Sequence, residues 1–84
     1  MAKKAVLMQF GRAVREFRKA TGISQEELAE RTEIHRTYIG GIERGERNPT
    51  WLMITRIAKA LGISATQLVQ LAEKTLNDSR QTVE

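Results

Sequence analysis

Apolar residues recur along this chain at helical rather than strand spacing, and the pattern divides into five segments. Phe10, Val14 and Phe17 stand at i, i+4 and i+7. They form the inner stripe of a helix predicted over about Leu7 to Ala20, with Arg12, Arg15, Arg18 and Lys19 mostly off that stripe. Thr21-Gly22 supplies its stop, because glycine accepts the left-handed conformation that closes a helix. Ser24-Gln25-Glu26-Glu27 fits a capping box and opens a short second helix, with Leu28 and Ala29 inward, that gives out near Thr32. A tight turn through Thr32-Glu33-Ile34 leads to a third helix over about Arg36 to Arg44, ended by Gly45. Ile39 and Ile42 are its buried pair, and Arg36, Thr37, Gly40 and Arg44 point the other way, with Gly41 beside them. Gly45-Glu46-Arg47-Asn48-Pro49 is the most loop-like stretch of the chain. Thr50 then caps a fourth helix from Trp51 to Leu61, whose core face is Trp51, Ile54, Ile57, Ala58 and Leu61. Ser64 with Gln67 repeats the capping box for a fifth helix over about Ala65 to Leu76. From Asn77 to Glu84 the sequence is polar and predicts a frayed tail. The whole reads as one all-α domain over residues 1–84, a compact five-helix bundle with short connections.

Composition narrows what such a bundle can do. With no Cys and one His in 84 residues, a disulfide scaffold, a thiolate metal site and a His-rich metal site are all excluded. No nucleophile, base or metal cluster can be named, so neither an enzyme nor a cofactor is expected. Gly40-Gly41 lies inside a predicted helix without a following Lys-Ser or Lys-Thr and is not a phosphate-binding loop. The longest unbroken apolar runs, Ala5 to Met8 and Trp51 to Ile54, are too short to span a membrane. The apolar stretch after the basic start is also too short for a secretory signal, so a reducing, cytoplasmic location is expected.

Charge adds a partner class. The net charge is +4, and its distribution is uneven: residues 1–22 carry six bases against one acid, whereas residues 23–49 carry four bases against six acids. A small basic domain is a candidate for binding a polyanion, but the acidic middle means that a nucleic-acid reading must rest on individual positions.

Those positions are in the second and third helices, which are short and separated by the three or four residues of a helix-turn-helix unit. In such a unit the first helix crosses the DNA backbone and the second enters the major groove, so the second needs one apolar face and one reading face. Arg36 and Thr37 sit at the N-terminal end of that helix. Arg can bond O6 and N7 of guanine in parallel, and Thr can bond a base edge or pack on the thymine methyl. His35 is a cap or near-cap residue with a base or phosphate contact as the other reading. Gly40 and Gly41, costly in a helix, point either to close backbone approach to DNA or a neighbouring helix, which would put Gly40 among the base-reading positions, or to crowding inside the bundle alone. Ser24 and Gln25 occupy a helix N-terminus, where free N–H groups attract phosphate. Arg44, Arg47 and Asn48 can grip the backbone from the following loop, and Tyr38 either bonds a phosphate or lies half-buried beside the core.

The runs Ser24-Gln25-Glu26-Glu27-Leu28-Ala29, Ile42-Glu43-Arg44-Gly45 and Ala58-Lys59-Ala60-Leu61-Gly62-Ile63-Ser64 resemble the Cro/CI type of regulator, over about residues 10–72. The stretch from His35 to Asn48 is similar, more narrowly, to the controller proteins of restriction–modification systems. This chain departs from their usual pattern at Gly40, where Ser is common, and at His35. The resemblance implies a lambda repressor-like DNA-binding fold that acts as a homodimer on palindromic operators. It also implies base reading by Arg36 and Thr37, backbone contacts by Tyr38, Arg47 and Asn48, and a partly buried ion pair between Arg18 and Glu43. A related alternative is an antitoxin-type or phage-type repressor that works with a protein partner.

A dimer needs an apolar surface. Leu68, Val69, Leu71 and Leu76 on the fifth helix, with Leu52 and the neighbouring Met53 on the fourth, exceed one narrow stripe and are the expected interface, unless they complete the monomer core. The acids Glu26, Glu27 and Glu30 are either a contact for RNA polymerase or an ordinary solvated face.

Overall fold

The computed structural model describes the backbone over residues 3–83 and side chains over residues 3–74. Five helices follow one another: α1 (Lys3–Thr21), α2 (Gln25–Thr32), α3 (Arg36–Glu43), α4 (Trp51–Ala60) and α5 (Ala65–Val83). The all-α five-helix architecture predicted from the pattern is the observed one, with no strand among the described residues.

The helix ends are set by local chemistry. Ser24 Oγ accepts the Glu27 N–H at 3.0 Å, but only this half of the predicted box forms, because the Glu27 carboxylate pairs with Arg31 one turn on. After Ser64 the box is complete: Gln67 N–H donates to Ser64 Oγ at 3.0 Å, and Ser64 N–H donates to Gln67 Oε1 at 2.9 Å. Thr50 Oγ1 accepts the Met53 N–H at the start of α4. Between α2 and α3 the buried Thr32 hydroxyl donates to Leu28 O at 2.8 Å and accepts from Ile34 N–H at 3.3 Å. Glu33 then turns the chain with φ at +60°, a conformation that a side chain disfavours.

Two helices are longer than predicted. Lys3 to Val6 are helix-compatible residues and extend α1 backwards. Past Leu76 no glycine or proline interrupts α5, so the segment expected to fray from Asn77 continues as helix to Val83.

The core is built from Val14, Leu28, Ile39, Ile42, Ile57 and Leu68, each at or below 1% exposure, with one or more from every helix. Burying such a side chain contributes about 2 kcal/mol. α1 packs on α3 and α5, α2 on α3 and α4, and α4 on α5. Trp51, expected in the core, is 68% exposed. The stripe Ile54, Ile57, Ala58 and Leu61 already completes the inner face of α4, and Trp51 stands one turn beyond it. Leu68, expected at a dimer interface, is instead a fully buried core residue, and Leu71 packs partly against the same core. Among the described residues no single helix is long and apolar enough to cross a membrane.

Candidate nucleic-acid interface

Three residues, Glu33, Ile34 and His35, join α2 to α3. Ile34 is buried and anchors the turn, while His35 holds the N-cap position with its ring making no capping bond. Ile39 and Ile42 fix the inner face of α3 in the core. This leaves Arg36 and Thr37, at its N-terminal end, on the exposed face beside His35. Arg36 Nε lies 3.7 Å from Glu26 Oε1, a loose pair with both side chains well solvated. It leaves the guanidinium available to an incoming base edge.

The middle of α3 differs from expectation. Gly40 and Gly41 were placed on the outward side, with Gly40 among the base readers, yet both are buried. The reason is cover by side chains. A Cβ on Gly40 would come 3.0 Å from Arg44 Nη1 and 3.7 Å from Gln25 Oε1. A Cβ on Gly41 would come 2.6 Å from Arg47 Cγ. Crowding within the protein thus accounts for Gly41. Arg47 runs across it and sets its guanidinium 5.4 Å from the Tyr38 ring centroid, a cation–π distance. The half-buried Tyr38 donates its hydroxyl to Asn48 O at 3.4 Å. Tyr38 and Arg47 together strap the loop after α3 to the flank of the helix.

Behind the exposed face of α3 is a buried carboxylate. Glu43 accepts from Arg18 Nε at 2.7 Å and Nη2 at 3.1 Å, and from Gln25 Nε2 at 2.9 Å. Arg18 Nη1 also donates to Ile23 O at 3.0 Å. The side chains of Arg18 and Glu43 are only 12% and 3% exposed. Gln25, expected at a phosphate, is therefore anchored through its amide to α3 while remaining half-buried at the start of α2. Ser24 spends an oxygen lone pair on the cap and keeps its hydroxyl hydrogen.

Arg44, Arg47 and Asn48 are exposed on the loop side. Arg44 Nη2 meets Glu46 at 3.1 Å and, by hydrogen bond and charge, holds the Glu46 carboxyl below the ordinary carboxylate range. The acids weighed as a polymerase contact are partly engaged within the protein, since Glu27 pairs with Arg31 and Glu26 lies beside Arg36. Of the expected dimer residues, Leu52 is 57% exposed and Val69 is half-buried. Val69 lines a groove with Trp51, Ala65, Thr66, Gln70 and Glu73. Leu76 lies outside the residues whose side chains are described.

Sequence reasoning missed Gly11. It is buried on α1, and a Cβ there would collide with Ile42 O and stand 2.6 Å from Glu43 O, so α1 crosses the end of α3 at backbone contact. The only signal was a glycine inside an otherwise unbroken helical pattern. Gly45 is doubly required: its φ is +76°, and a Cβ would meet Met8 of α1.

The family model for the helix-turn-helix matches residues 14–68. The control protein C.SmaI of Serratia marcescens is 48% identical over 56 residues, 67% of this chain and 67% of its own length. The control protein C.BamHI of Bacillus amyloliquefaciens is 43% identical over 65 residues, 76% of this chain and 80% of its own. The crystal structure of the restriction–modification controller protein C.AhdI from Aeromonas hydrophila superposes with a TM-score of 0.73 at 45% identity. It covers 74% of this chain and 94% of that one.

Proposed function

The chain belongs to the helix-turn-helix family of DNA-binding transcription regulators, and on that premise we propose that it is the controller protein of a restriction–modification system. It binds a palindromic operator in the cytoplasm as a homodimer. The observation that carries the reading is the division of α3. Ile39 and Ile42 are sealed in the core, while Arg36 and Thr37 stand exposed at the end of the helix that reaches base edges first.

In this reading Arg36 and Thr37 read bases, with His35 beside them. Ser24, Gln25, Tyr38, Arg44, Arg47 and Asn48 hold the backbone, the last four through the strapped loop. Gly40 contributes by letting Arg44 and Gln25 lie close over the helix rather than by touching a base. One helix reads only a few base pairs, so a two-fold dimer is required for a full operator. Trp51, Leu52 and Val69 are the apolar surface for it, and Leu68 and Leu71 support that surface from the core. The regulator acts by occupying DNA, and no catalytic step is assigned to it.

The test is selection of bound duplexes from a random pool at about 150 mM salt, where non-specific binding is suppressed. The expected product is a palindrome with half-sites about 34 Å apart. Recovery of a single, non-repeated half-site would remove the dimer. Failure of folded protein to enrich any sequence would overturn the reading.

A further inference from the structure

The interface described above leaves most of the positive charge of α1 unused. Arg18 is neutralised by Glu43, but Arg12 and Arg15 are exposed and enter none of the ion pairs among the described residues. They are not scattered charges. The backbone contact at Gly11 presses α1 against the end of α3, which sets Arg12 and Arg15 beside Arg44 around a recess of about 260 Å³. Met8, Gln9 and Glu43 complete its walls.

Two features of that recess suit an anion. Three arginines line it, each carrying a fork of donors suited to phosphate oxygens, and of these Arg44 also pairs with the exposed Glu46 at 3.1 Å. Glu43 is the acid in the wall, and its negative charge is already engaged, since both of its oxygens accept bonds from Arg18 and Gln25.

Arg44 connects this recess to α3, because it is one of the lining residues and its guanidinium also covers Gly40 next to Gln25. We infer that the recess between α1 and the C-terminal end of α3 is a further backbone clamp, in which Arg12 and Arg15 of α1 join Arg44 to hold a DNA phosphate. The inference rests on the DNA-binding reading, and it extends the contact surface to a helix outside the helix-turn-helix.

A phosphate contact carries no sequence information but releases counterions, so it is read in the salt dependence of binding. Affinity is measured from about 50 to 200 mM salt on the selected duplex and on a random duplex of the same length. The proteins compared are the unmodified chain, Arg12→Gln with Arg15→Gln, Arg12→Lys with Arg15→Lys, and Arg56→Gln as a charge control on α4. The double Gln variant is expected to weaken binding to both duplexes equally, about fivefold to tenfold per contact near 0.1 M salt. It should also lower the log–log slope by about one for each protomer. The Lys pair should keep the slope, and Arg56→Gln should leave it unchanged. Thermal melting confirms that the variants fold, as expected of two exposed side chains without partners.

An unchanged slope in the double Gln variant, or an equal loss in the Arg56 control, would overturn the clamp. If the unmodified chain still selects a sequence in that case, the DNA-binding reading survives without it. If the unmodified chain binds neither duplex at any salt, both fall together.

Discussion

The two faces of α3 follow opposite rules. The inner face is sealed by backbone contact with Gly11, by Ile39 and Ile42 in the core, and by the buried Glu43 carboxylate, which accepts three bonds. The outer face carries Arg36 and Thr37, whose nearest ionic contact is a 3.7 Å pair in solvent. Free energy of folding is concentrated on one side, and in the proposed function the capacity to bind DNA is concentrated on the other. Substitutions on the two sides should therefore separate stability from affinity.

The inner side should break hardest at Gly11. Gly11→Val places branched carbon against the carbonyls of Ile42 and Glu43, which cannot retreat without moving helix backbone. We expect a loss above about 3 kcal/mol by urea denaturation, or no cooperative transition at all. Arg18→Ala comes next. It strands a carboxylate that is 3% exposed, and the expected loss is about 3–5 kcal/mol. A change below about 0.5 kcal/mol, the scale of a surface site, would show that the pair is not structural. Replacing both partners together, Arg18→Met with Glu43→Leu, should cost much less than Arg18→Ala, because no unpaired charge remains.

On the outer side, Arg36→Ala should leave the melting temperature in place. It should lose about 1–3 kcal/mol of discrimination at one symmetric operator position, read by repeating the selection with the variant. A change in melting temperature as large as that of Arg18→Ala would collapse the distinction between the faces. The smallest effect is expected at the turn that joins the two sides. Glu33→Gly relieves a side chain held at φ +60° and should raise stability by about 0.5 kcal/mol without altering operator affinity.

How far each feature could be read in the sequence follows from its range. Capping residues act within three positions, so Ser24, Thr50 and Ser64 marked helix starts correctly, and the Ile39–Ile42 pair marked the buried face of α3. The same local reading placed Trp51 inside, because helical spacing records the direction of a side chain and not where the core ends along the axis. It placed Gly40 outside because the cover comes from Gln25 on another helix and from the long reach of Arg44. Gly11 was invisible because its partner carbonyls belong to residues 31 and 32 positions later. Leu68 was left between interface and core for a related reason: an apolar excess on one helix does not say which part of it a neighbouring helix has already covered.

The bond from Gln25 Nε2 to Glu43 has a consequence for the cost of association. A long amide side chain left free in solution must be immobilised on binding, at roughly 0.5–1.5 kcal/mol. Here that ordering occurs during folding, since Gln25 is already tied at 2.9 Å to a carboxylate that two arginine nitrogens hold in turn. Gln25, in the proposed function a backbone contact, thus meets DNA with its rotamer chosen, and the entropy of that choice is charged to the fold instead of to the complex.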